Sequence, residues 1–413
     1  MTATVRLKHL CDHWGEYGLG ISAEQYAPEG IRLIRTSDIT DDGKLIPAED
    51  GVFVDPAVVD GLRLRTGDLL ISRSGTVGRS FLFDEQEHGT CTFAAYLVRF
   101  RLKTVFDPQF VYYFTKSAPF EQQIQLDATQ ATIANFNAQK LGNLQLPALP
   151  PAQQKAIANF LDRETDRIDR ALATLRRTRQ LLEKKLDGER DRILAPGLAT
   201  PEGQARPPAG WRLSPLMRLT DPMRPIVYGI VQAGPEIPDG VPYIKTGDVA
   251  DLDPERLSRT SDVIDAMYRR ARVRPGDIVI AMRASVGLPV IVPTSLPTAN
   301  LTQGTARVAP APGVVSRWLY QALRTTFVQV QCRNRAVGTT YLTLNIWDLR
   351  RVLVPTPPQG EQRTLALEVE HLEEQTERAV RLRQRQEDLL LERRQALITA
   401  AVTGQVEVAG TAA

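Results

Sequence analysis

One long internal repeat constrains the fold of this 413-residue chain more than any other feature of its sequence. The phrase RTGDLLISRSGTVGR at 65–79 returns as RPGDIVIAMRASVGL at 274–288, so that Asp68 matches Asp277, 209 residues later. Upstream, GIRLIRTSDI at 30–39 matches GVPYIKTGDV at 240–249, 210 residues later. Because chance matches would not keep one order and nearly one register, the sequence predicts a duplicated domain.

A third pair of matching segments closes each repeat. NFNAQKLGNLQLPALPPAQQ (135–154) matches LNIWDLRRVLVPTPPQGEQ (344–362), with Asn137 on Asn345 and Gln154 on Gln362, both 208 residues apart. Up to these phrases the two copies, roughly 1–150 and 209–357, carry short apolar runs broken by Gly, Pro, Asp and Ser. Such runs are typical of mixed, strand-rich globular domains.

The glycines of the repeated phrase at 65–79 and 274–288, here called the opening phrase, are interpreted as turn residues. The Gly-Asp pairs at 67–68 and 276–277 each precede an apolar run, which suits a tight turn leading into a buried strand, and Gly78 and Gly287 suit the turn that leaves it. Neither copy has the GxxxxGK[ST] spacing of a phosphate-binding loop. Most of the phrase is therefore predicted to be scaffold, and its arginine-bearing end is the candidate for function.

A long, charged helix is predicted after each copy, where a proline cluster ends the preceding element. From about 152 to 194 apolar residues recur every seven positions, and from about 360 to 402 the same stripe continues less regularly. At 1.5 Å per residue, ~43 residues extend ~65 Å, which exceeds the width of a 150-residue domain. Two such helices bury their stripes best against each other, and pseudo-twofold symmetry predicts that they run antiparallel.

Taken together, the duplicated phrase, its proline-glutamine ending and the heptad helix resemble the specificity (S) subunits of Type I restriction-modification systems over the whole chain. The family phrase reads like LNxxxLxxxxxPxPPxxEQ; here Phe136 replaces the usual Leu in the first copy, and Gln153 replaces the Glu that stands at Glu361. The resemblance implies an α+β fold with two tandem mixed α/β target-recognition domains, each followed by a long helix, the two helices pairing as an antiparallel coiled coil. The expected segments are a first target-recognition domain (1–150), a first spacer helix (151–196), a linker (197–208), a second target-recognition domain (209–357), a second spacer helix (358–403) and a C-terminal tail (404–413).

The resemblance also implies a non-catalytic subunit that reads a bipartite DNA target and directs adenine methylation and restriction by its partners. The implied partners are double-stranded DNA, two modification (adenine methyltransferase) subunits, and restriction subunits that translocate and cut DNA. No cofactor is expected on this chain; S-adenosylmethionine, ATP and Mg²⁺ are implied for the partners. The residues agree, because the sequence contains no NPPF or DPPY motif, no FxGxG motif, and only four widely spaced histidines.

Composition is compatible with these expectations without deciding them. A net charge of +3 permits binding to nucleic acid but does not demand it. The three cysteines are odd in number and lack CxxC spacing, which predicts buried or idle thiols rather than a disulfide framework or a zinc site. No apolar run approaches the ~18 residues of a membrane span, so a cytoplasmic protein without membrane contacts is expected.

Candidate DNA-contacting residues are chosen by chemistry, since guanidinium and hydroxyl groups suit phosphates and base edges. They lie in three places of each copy. The first is the turn in IRTSDI or IKTGDV, and the second is the loop that follows the apolar strand of the phrase at 65–79 or 274–288. The third is the loop before the phrase at 135–154 or 344–362, here called the asparagine phrase after Asn137 and Asn345. The predicted residues are Arg35, Ser37, Arg73, Ser74, Thr76, Arg79, Gln130 and Thr132 in the first copy, and Lys245, Thr246, Arg283, Ser285, Arg335, Thr339, Thr340 and Tyr341 in the second.

Candidate partner-binding residues are expected on the helix stripes and in the proline-glutamine phrases. Apolar ridges recruit helices, whereas base edges require polar donors. The predicted residues are Leu161, Ile168, Leu175, Leu182, Glu361, Gln362, Leu365 and Leu372.

Two other functional classes stay open at this point. An enzyme with unfamiliar motifs would show activity as an isolated chain with Mg²⁺ or S-adenosylmethionine. A non-catalytic coiled-coil adaptor that joins DNA-processing partners would bind DNA in a salt-dependent way without ranking one sequence over another, because phosphate contacts carry no sequence information.

Overall fold

A computed structural model describes residues 3–129, 136–198, 206–339 and 341–408, with the side chains of 127–129 outside the description. Two of its helices contain 44 residues each, and both begin at a proline cluster, as predicted. Their bounds confirm the helices expected at about 152–194 and 360–402. The α-helices of this described part are α1 (Glu85–His88), α2 (Pro108–Phe114), α3 (Ala118–Thr129), α4 (Ala138–Gly142), α5 (Pro151–Leu194), α6 (Asp262–Met267), α7 (Ser316–Leu323), α8 (Thr326–Arg335), α9 (Ile346–Arg350) and α10 (Gln359–Val402).

The strands are short, two to seven residues each, as the broken apolar runs of the sequence predict. Short 3-10 helices connect several of them, including one at Thr36–Asp38 and one at Thr246–Val249 in matching places of the repeat. The strands are β1 (Thr4–Arg6), β2 (Cys11–Tyr17), β3 (Ile31–Ile34), β4 (Val52–Val54), β5 (Asp68–Ser72), β6 (Ser80–Leu82), β7 (Cys91–Phe93), β8 (Leu97–Leu102), β9 (Gln145–Pro147), β10 (Arg212–Pro215), β11 (Val241–Ile244), β12 (Arg259–Thr260), β13 (Ile278–Ala281), β14 (Pro289–Ile291), β15 (Asn300–Leu301), β16 (Thr305–Val308) and β17 (Leu353–Thr356).

The chain forms two compact units, and each long helix contributes to both. Unit 1 comprises Met1–Arg176 and Gln384–Ala413, and unit 2 comprises Arg177–Arg383. Unit 1 therefore contains the first part of α5 and the last part of α10, whereas unit 2 contains the remaining part of each helix.

Unit 1 contains three sheets among its described residues. A four-stranded sheet has the order β2-β8-β5-β6, with every pair antiparallel. A three-stranded sheet has the order β4-β3-β7, in which β3 pairs antiparallel with β4 and parallel with β7. The third sheet joins the two ends of the domain through β1 and β9.

Unit 2 repeats this pairing scheme. Strand β13 lies between β14 and β16, as β5 lies between β6 and β8. Strand β11 pairs antiparallel with β12 and parallel with β15, as β3 does with β4 and β7. Strands β10 and β17 pair as β1 and β9 do. The principal difference is β2, whose place in unit 2 is taken by isolated bridges such as Tyr228 with Ala306.

The predicted Gly-Asp turns are confirmed in both units. Gly67 and Gly276 adopt φ angles of 90° and 84°, in the left-handed region that favours glycine. The aspartate that follows closes the turn, since the backbone N–H of residue 65 or 274 donates to its carboxylate at 2.9 or 2.8 Å. Each carboxylate is buried and also binds an arginine: Arg101 in unit 1 and Arg224 in unit 2. The matched aspartates are therefore structural.

The asparagine phrase begins a short helix in both units. The side chain of Asn137 accepts a hydrogen bond from the backbone of residue 140 at 2.9 Å, and that of Asn345 accepts one from residue 348 at 2.8 Å. Each asparagine thus caps the N-terminus of its helix, α4 or α9, which explains why this residue type recurs.

The long helices help to build the core of each unit. Leu161 of α5 and Ile398 of α10 are buried in the main core of unit 1 with strands β5 and β8. Ile193 of α5 and Val369 of α10 are buried in the main core of unit 2 with β13 and β16. Part of each apolar stripe is therefore covered inside the units. Across the described ranges, none of the helices is both long enough and apolar enough to cross a bilayer.

Candidate nucleic-acid interface

In unit 2 the three predicted loops are joined by hydrogen bonds into one surface. Met282 is the first residue of the loop that leaves β13, here called the exit loop, and its backbone N–H donates to Gly304 O at 2.8 Å. The hydroxyl of Thr246, from the turn after β11, donates to the same carbonyl at 3.1 Å. On the other side, Ala284 N donates to Leu342 O at 3.1 Å, which links this exit loop to the loop before the asparagine phrase.

Unit 1 assembles its loops in the same way. Arg73 N donates to Tyr96 O at 2.9 Å, the counterpart of the bond between residues 282 and 304. Phe136 N donates to Arg73 O at 3.0 Å, which joins the exit loop to the asparagine phrase. The guanidinium of Arg79 donates to Ile39 O at 2.8 Å and pairs with Asp41, which fixes the exit loop against the turn after β3. In unit 2 the matching bond runs from Leu344 N to Met282 O at 2.8 Å, so both repeats bring together the turn, the exit loop and the start of the asparagine phrase.

The turns after β3 and β11 are each organised by a matched aspartate. Asp38 accepts a hydrogen bond from the backbone of Arg35 at 2.9 Å, and Asp248 accepts one from Lys245 at 2.7 Å. The buried Asp38 also binds the guanidinium of Arg35 at 2.7 Å, which raises the pKa of Arg35 above its ordinary value and holds the side chain in place. Ser37 donates to the same carboxylate at 3.2 Å.

The corresponding lysine in unit 2 has a different partner. Lys245 Nζ donates to Ser258 Oγ at 2.7 Å and lies 6.0 Å from the centre of the Tyr243 ring. Because serine is neutral, this partner does not offset the charge of Lys245, whereas the carboxylate of Asp38 offsets that of Arg35.

The candidate side chains in the exit loop of unit 1 differ in how far they are buried and in the contacts that they make. Arg79 is mostly buried and occupied by its contacts with the turn after β3, so its role here is structural. Arg73 is half-buried, with its guanidinium 4.8 Å from the centre of the Tyr17 ring. Ser74 is half-buried and Thr76 is exposed, so these two hydroxyls are accessible from outside.

In unit 2 the exit loop lies beside a small hairpin. Val337 and Thr343 exchange two backbone hydrogen bonds of 2.9 Å, and Arg283 forms a β-bridge with Thr343. The side chain of Tyr341 is 75% exposed at the hairpin. Arg335 is half-buried and donates to Gln331 O at 3.3 Å. Exposed polar residues of the predicted set are Arg283, Ser285 and Thr339. The predicted residues Gln130, Thr132 and Thr340 lie outside the described residues.

Three tyrosines of this surface were missed by the sequence analysis. Tyr17, Tyr96 and Tyr228 are all exposed, and stacking side chains of this kind serve nucleic-acid contacts well. A signal was present, because Tyr17-Gly18 and Tyr228-Gly229 form a repeated dipeptide 211 residues apart. Each glycine is needed, since a Cβ at 18 or 229 would lie 2.1 or 1.8 Å from a backbone carbonyl oxygen.

The predicted partner-binding residues fall into two groups. Leu161, Ile168 and Gln362 are buried, and the Gln362 amide oxygen accepts a hydrogen bond from Val315 N at 2.9 Å. Its repeat counterpart Gln154 accepts one from Asp107 N at 3.0 Å. These buried side chains therefore stabilise their own units and offer no surface to a partner. The remaining five are accessible: Glu361 is exposed, and Leu175, Leu182, Leu365 and Leu372 are half-buried.

A family model described as "Type I restriction modification DNA specificity domain" matches residues 27–178. Among curated proteins, the chain is 27% identical over 264 residues to the Type I restriction enzyme EcoBI specificity subunit of Escherichia coli, an alignment that covers 60% of this chain and 56% of that protein. It is also 27% identical over 130 residues to the MjaIX specificity subunit of Methanocaldococcus jannaschii, covering 30% and 29%. The chain thus matches less than two thirds of the length of either relative.

Two solved structures have a similar fold. A chain from a structure described as the basis of complex assembly and conformational transition of the type I R-M system matches with a TM-score of 0.74 and 17% identity, covering 98% of both chains. The HsdS subunit from Thermoanaerobacter tengcongensis matches with a TM-score of 0.52 and 19% identity, covering 98% of this chain and 97% of that one.

Proposed function

We propose, given that this chain belongs to the family of Type I restriction-modification specificity subunits, that it reads a bipartite DNA target with residues 1–150 and 209–357 and performs no catalysis itself. The observation that carries the proposal is shared by both units: hydrogen bonds link the exit loop to the turn after β3 or β11 and, through Arg73 or Met282, to the start of the asparagine phrase. Two surfaces of the same construction suit two half-sites that are read independently.

The chemistry of these surfaces fits double-stranded DNA. Lys245 and Arg35 lie at turns with small hydroxyl neighbours, where phosphates can approach, and these contacts position a protein without specifying sequence. Arg73, Arg283 and Tyr341 offer a guanidinium fork or an exposed ring for the edges of bases. These base-contacting groups differ between the two surfaces, so each unit is proposed to read its own half-site.

The finer architecture is an antiparallel coiled coil formed by the helices at 151–196 and 358–403, with a linker at 197–208 and a tail at 404–413. In unit 1, Asp169 pairs with Arg394 at 3.2 Å; in unit 2, Arg190 pairs with Glu373 at 2.9 Å. From 169 to 190 the first helix advances 21 residues, and from 394 to 373 the second recedes by 21. That equal and opposite change supports one antiparallel register.

The proposed partners are two modification subunits, which carry S-adenosylmethionine and methylate adenine, and restriction subunits that use ATP and Mg²⁺. Support on this chain comes from apolar side chains that α5 and α10 leave exposed, such as Leu181 and Leu382. Leucines exposed on these helices are available for apolar contact with a partner helix. The proposal places the chain in the cytoplasm, where the DNA is.

The decisive experiment exchanges one reading domain. Residues 209–357 are replaced by the corresponding part of another specificity subunit, the variant is assembled with its modification subunit, and methylated adenines are mapped by sequencing. We expect one half of the target to change while the other half and its methylation are kept. A simultaneous change in both halves would contradict independent reading. Methylation without any sequence preference in the unaltered complex would favour the adaptor function.

A further inference from the structure

Tyr17 is held against Arg73 by a contact on its far side. Its hydroxyl accepts a hydrogen bond from Ala138 N, the first residue of α4, at 2.9 Å. Its ring lies 4.8 Å from the guanidinium carbon of Arg73. The ring is 40% exposed, so the Tyr17 and Arg73 pair reaches the surface on which the loops converge. A tyrosine fixed at its hydroxyl end presents its face to the guanidinium in one orientation.

The backbone of Arg73 is fixed as well. Its N–H donates to Tyr96 O at 2.9 Å and its carbonyl accepts from Phe136 N at 3.0 Å. With the main chain held on both sides, the direction of the arginine side chain depends on what its guanidinium packs against. The face of Tyr17 is one of these contacts, and it is favourable because a cation over an aromatic ring is attracted by the ring quadrupole.

We propose that Tyr17 is a positioning residue for base recognition, which directs Arg73 toward one base pair of the half-site read by unit 1. This inference rests on the proposed function and assigns to it a specificity-determining pair. An arginine held in one direction suits the bidentate contact with the O6 and N7 atoms of guanine, so the base pair in question is expected to be G·C. The effect of Tyr17 on recognition acts entirely through Arg73.

Unit 2 supplies the matched comparison. Tyr228 occupies the place of Tyr17, and its hydroxyl accepts from Ile346 N, the first residue of α9, at 3.1 Å. The position that corresponds to Arg73 is Met282, which is 1% exposed and lies in the core. The hydrogen bond to the tyrosine hydroxyl, here called the clamp, is thus repeated in unit 2, but the arginine is not. The coupled pair of Tyr17 and Arg73 therefore belongs to unit 1.

The test uses the full chain assembled with its modification subunit and compares methylation motifs and binding to duplexes with single base-pair changes. Arg73→Ala should relax one base pair of one half-site, lowering discrimination there about five- to a hundredfold. Tyr17→Leu should relax the same base pair, whereas Tyr17→Phe, which keeps the ring face but loses the hydroxyl bond to Ala138 N, should lose only part of the discrimination. In the double variant Tyr17→Leu with Arg73→Ala, the loss should equal that of Arg73→Ala alone.

The control is Tyr228→Leu, which removes the same clamp from unit 2 and should leave the unit 1 half-site unchanged. Additive losses in the double variant, or a loss in Tyr17→Phe equal to that in Tyr17→Leu, would overturn the inference by showing a general structural effect. Relaxation of different base pairs by the two single variants would overturn it as well. If the unaltered complex methylates without sequence preference, the proposed function fails first, and this result is distinct from either of the others.

Discussion

Gly75 and Ala284 occupy the same turn of the two repeats, and both have a positive φ, 70° and 56° respectively. Within the described ranges, Ala284 is the single non-glycine residue with a positive φ. No heavy atom outside its neighbours lies within 4 Å of a Cβ built at Gly75, so the difference between the two turns is one of backbone preference alone. In unit 2 this strained residue sits between the two candidate contact residues Arg283 and Ser285.

Exchanging these two residue types should give opposite effects on stability. Ala284→Gly relieves a left-handed alanine, which costs ~1–2 kcal/mol, but adds ~0.5–1 kcal/mol of unfolded-state entropy. We expect unit 2 to gain about 0.5 kcal/mol and Gly75→Ala to cost unit 1 a similar amount, as measured by urea unfolding of the full chain. If Ala284→Gly destabilised the chain, the turn would be held by contacts of the alanine methyl group.

Asp68 is expected to be among the most sensitive positions of unit 1. Its buried carboxylate accepts bonds of 2.7 and 2.6 Å from Arg101 and 2.9 Å from the backbone of residue 65. Asp68→Asn leaves the guanidinium without its counter-charge, and we expect a loss of about 3 kcal/mol in the free energy of unfolding. The control is Asp41→Asn, which removes a carboxylate that is 92% exposed and pairs with Arg79. This substitution should cost less than about 1 kcal/mol. Equal losses in the two variants would contradict this account.

Lys116 should make unit 1 more stable as the pH rises above neutrality. Burial, with the nearby charges of Arg394 and Arg79, lowers the pKa of its ammonium group from 10.5 to about 8, while Asp42 opposes this change. The unfolded chain therefore binds more protons than the folded chain between pH 8 and 10.5, and the stability contributed by Lys116 increases across that window.

The measurement is the free energy of unfolding of the unaltered chain and of Lys116→Met at several pH values. Burial raises the pKa of Tyr112 to about 12, so this residue lowers stability as the pH rises. Because Tyr112 is present in both chains, the difference between them isolates the effect of Lys116. The advantage of the unaltered chain should grow by about 2–3 kcal/mol from pH 8 to 10.5. A difference between the two chains that is constant with pH would show that the amine titrates normally.

The thiols should be unreactive while the chain is folded. Cys11, Cys91 and Cys332 are all buried, and desolvation raises their pKa values to about 12, 11 and 11. Since the thiolate is the reactive form, we expect little modification by a thiol reagent at pH 7.5 and three modified groups after denaturation. Rapid labelling of any one of them in the folded chain would indicate local opening at that site.

Disruption of the helix stripe should prevent assembly before it alters sequence preference. Leu175 and Leu182 are half-buried, and Leu182 lines a cavity with Leu186 and Leu372 between α5 and α10 in unit 2. Charged substitutions at both leucines should abolish co-purification with the modification subunit, because burying a charge in this setting is costly. A variant that assembled normally and methylated a new sequence would contradict the assignment. Leu181→Glu places a charge at an exposed leucine of the same helix. Loss of co-purification in this variant would show that the exposed face of the helix is itself required for docking.

Local patterns of the sequence determined the repeat, the long helices and the Gly-Asp turns. The helices predicted from about 152 and 360 begin at Pro151 and Gln359, because proline clusters and heptad spacing act over a few residues. The turns before β5 and β13 follow from residues that are adjacent in the chain. Each of these features depends on backbone preferences that a short window of sequence already contains.

The tertiary structure alone decided which side chains face the surface and which partners they have. Gln154 and Gln362 recur in a conspicuous phrase, yet both turn inward to a backbone N–H some 47 residues away along the chain. The role proposed for Tyr17 depends on a hydrogen bond to Ala138, 121 residues later, and on contact with Arg73. Such pairings arise only when distant segments pack, and they differ between the repeats: an arginine faces the tyrosine in unit 1, whereas a buried methionine occupies its place in unit 2. Sequence periodicity reports which face of an element is apolar, but the choice of contact across that face is made by the packing of the whole unit.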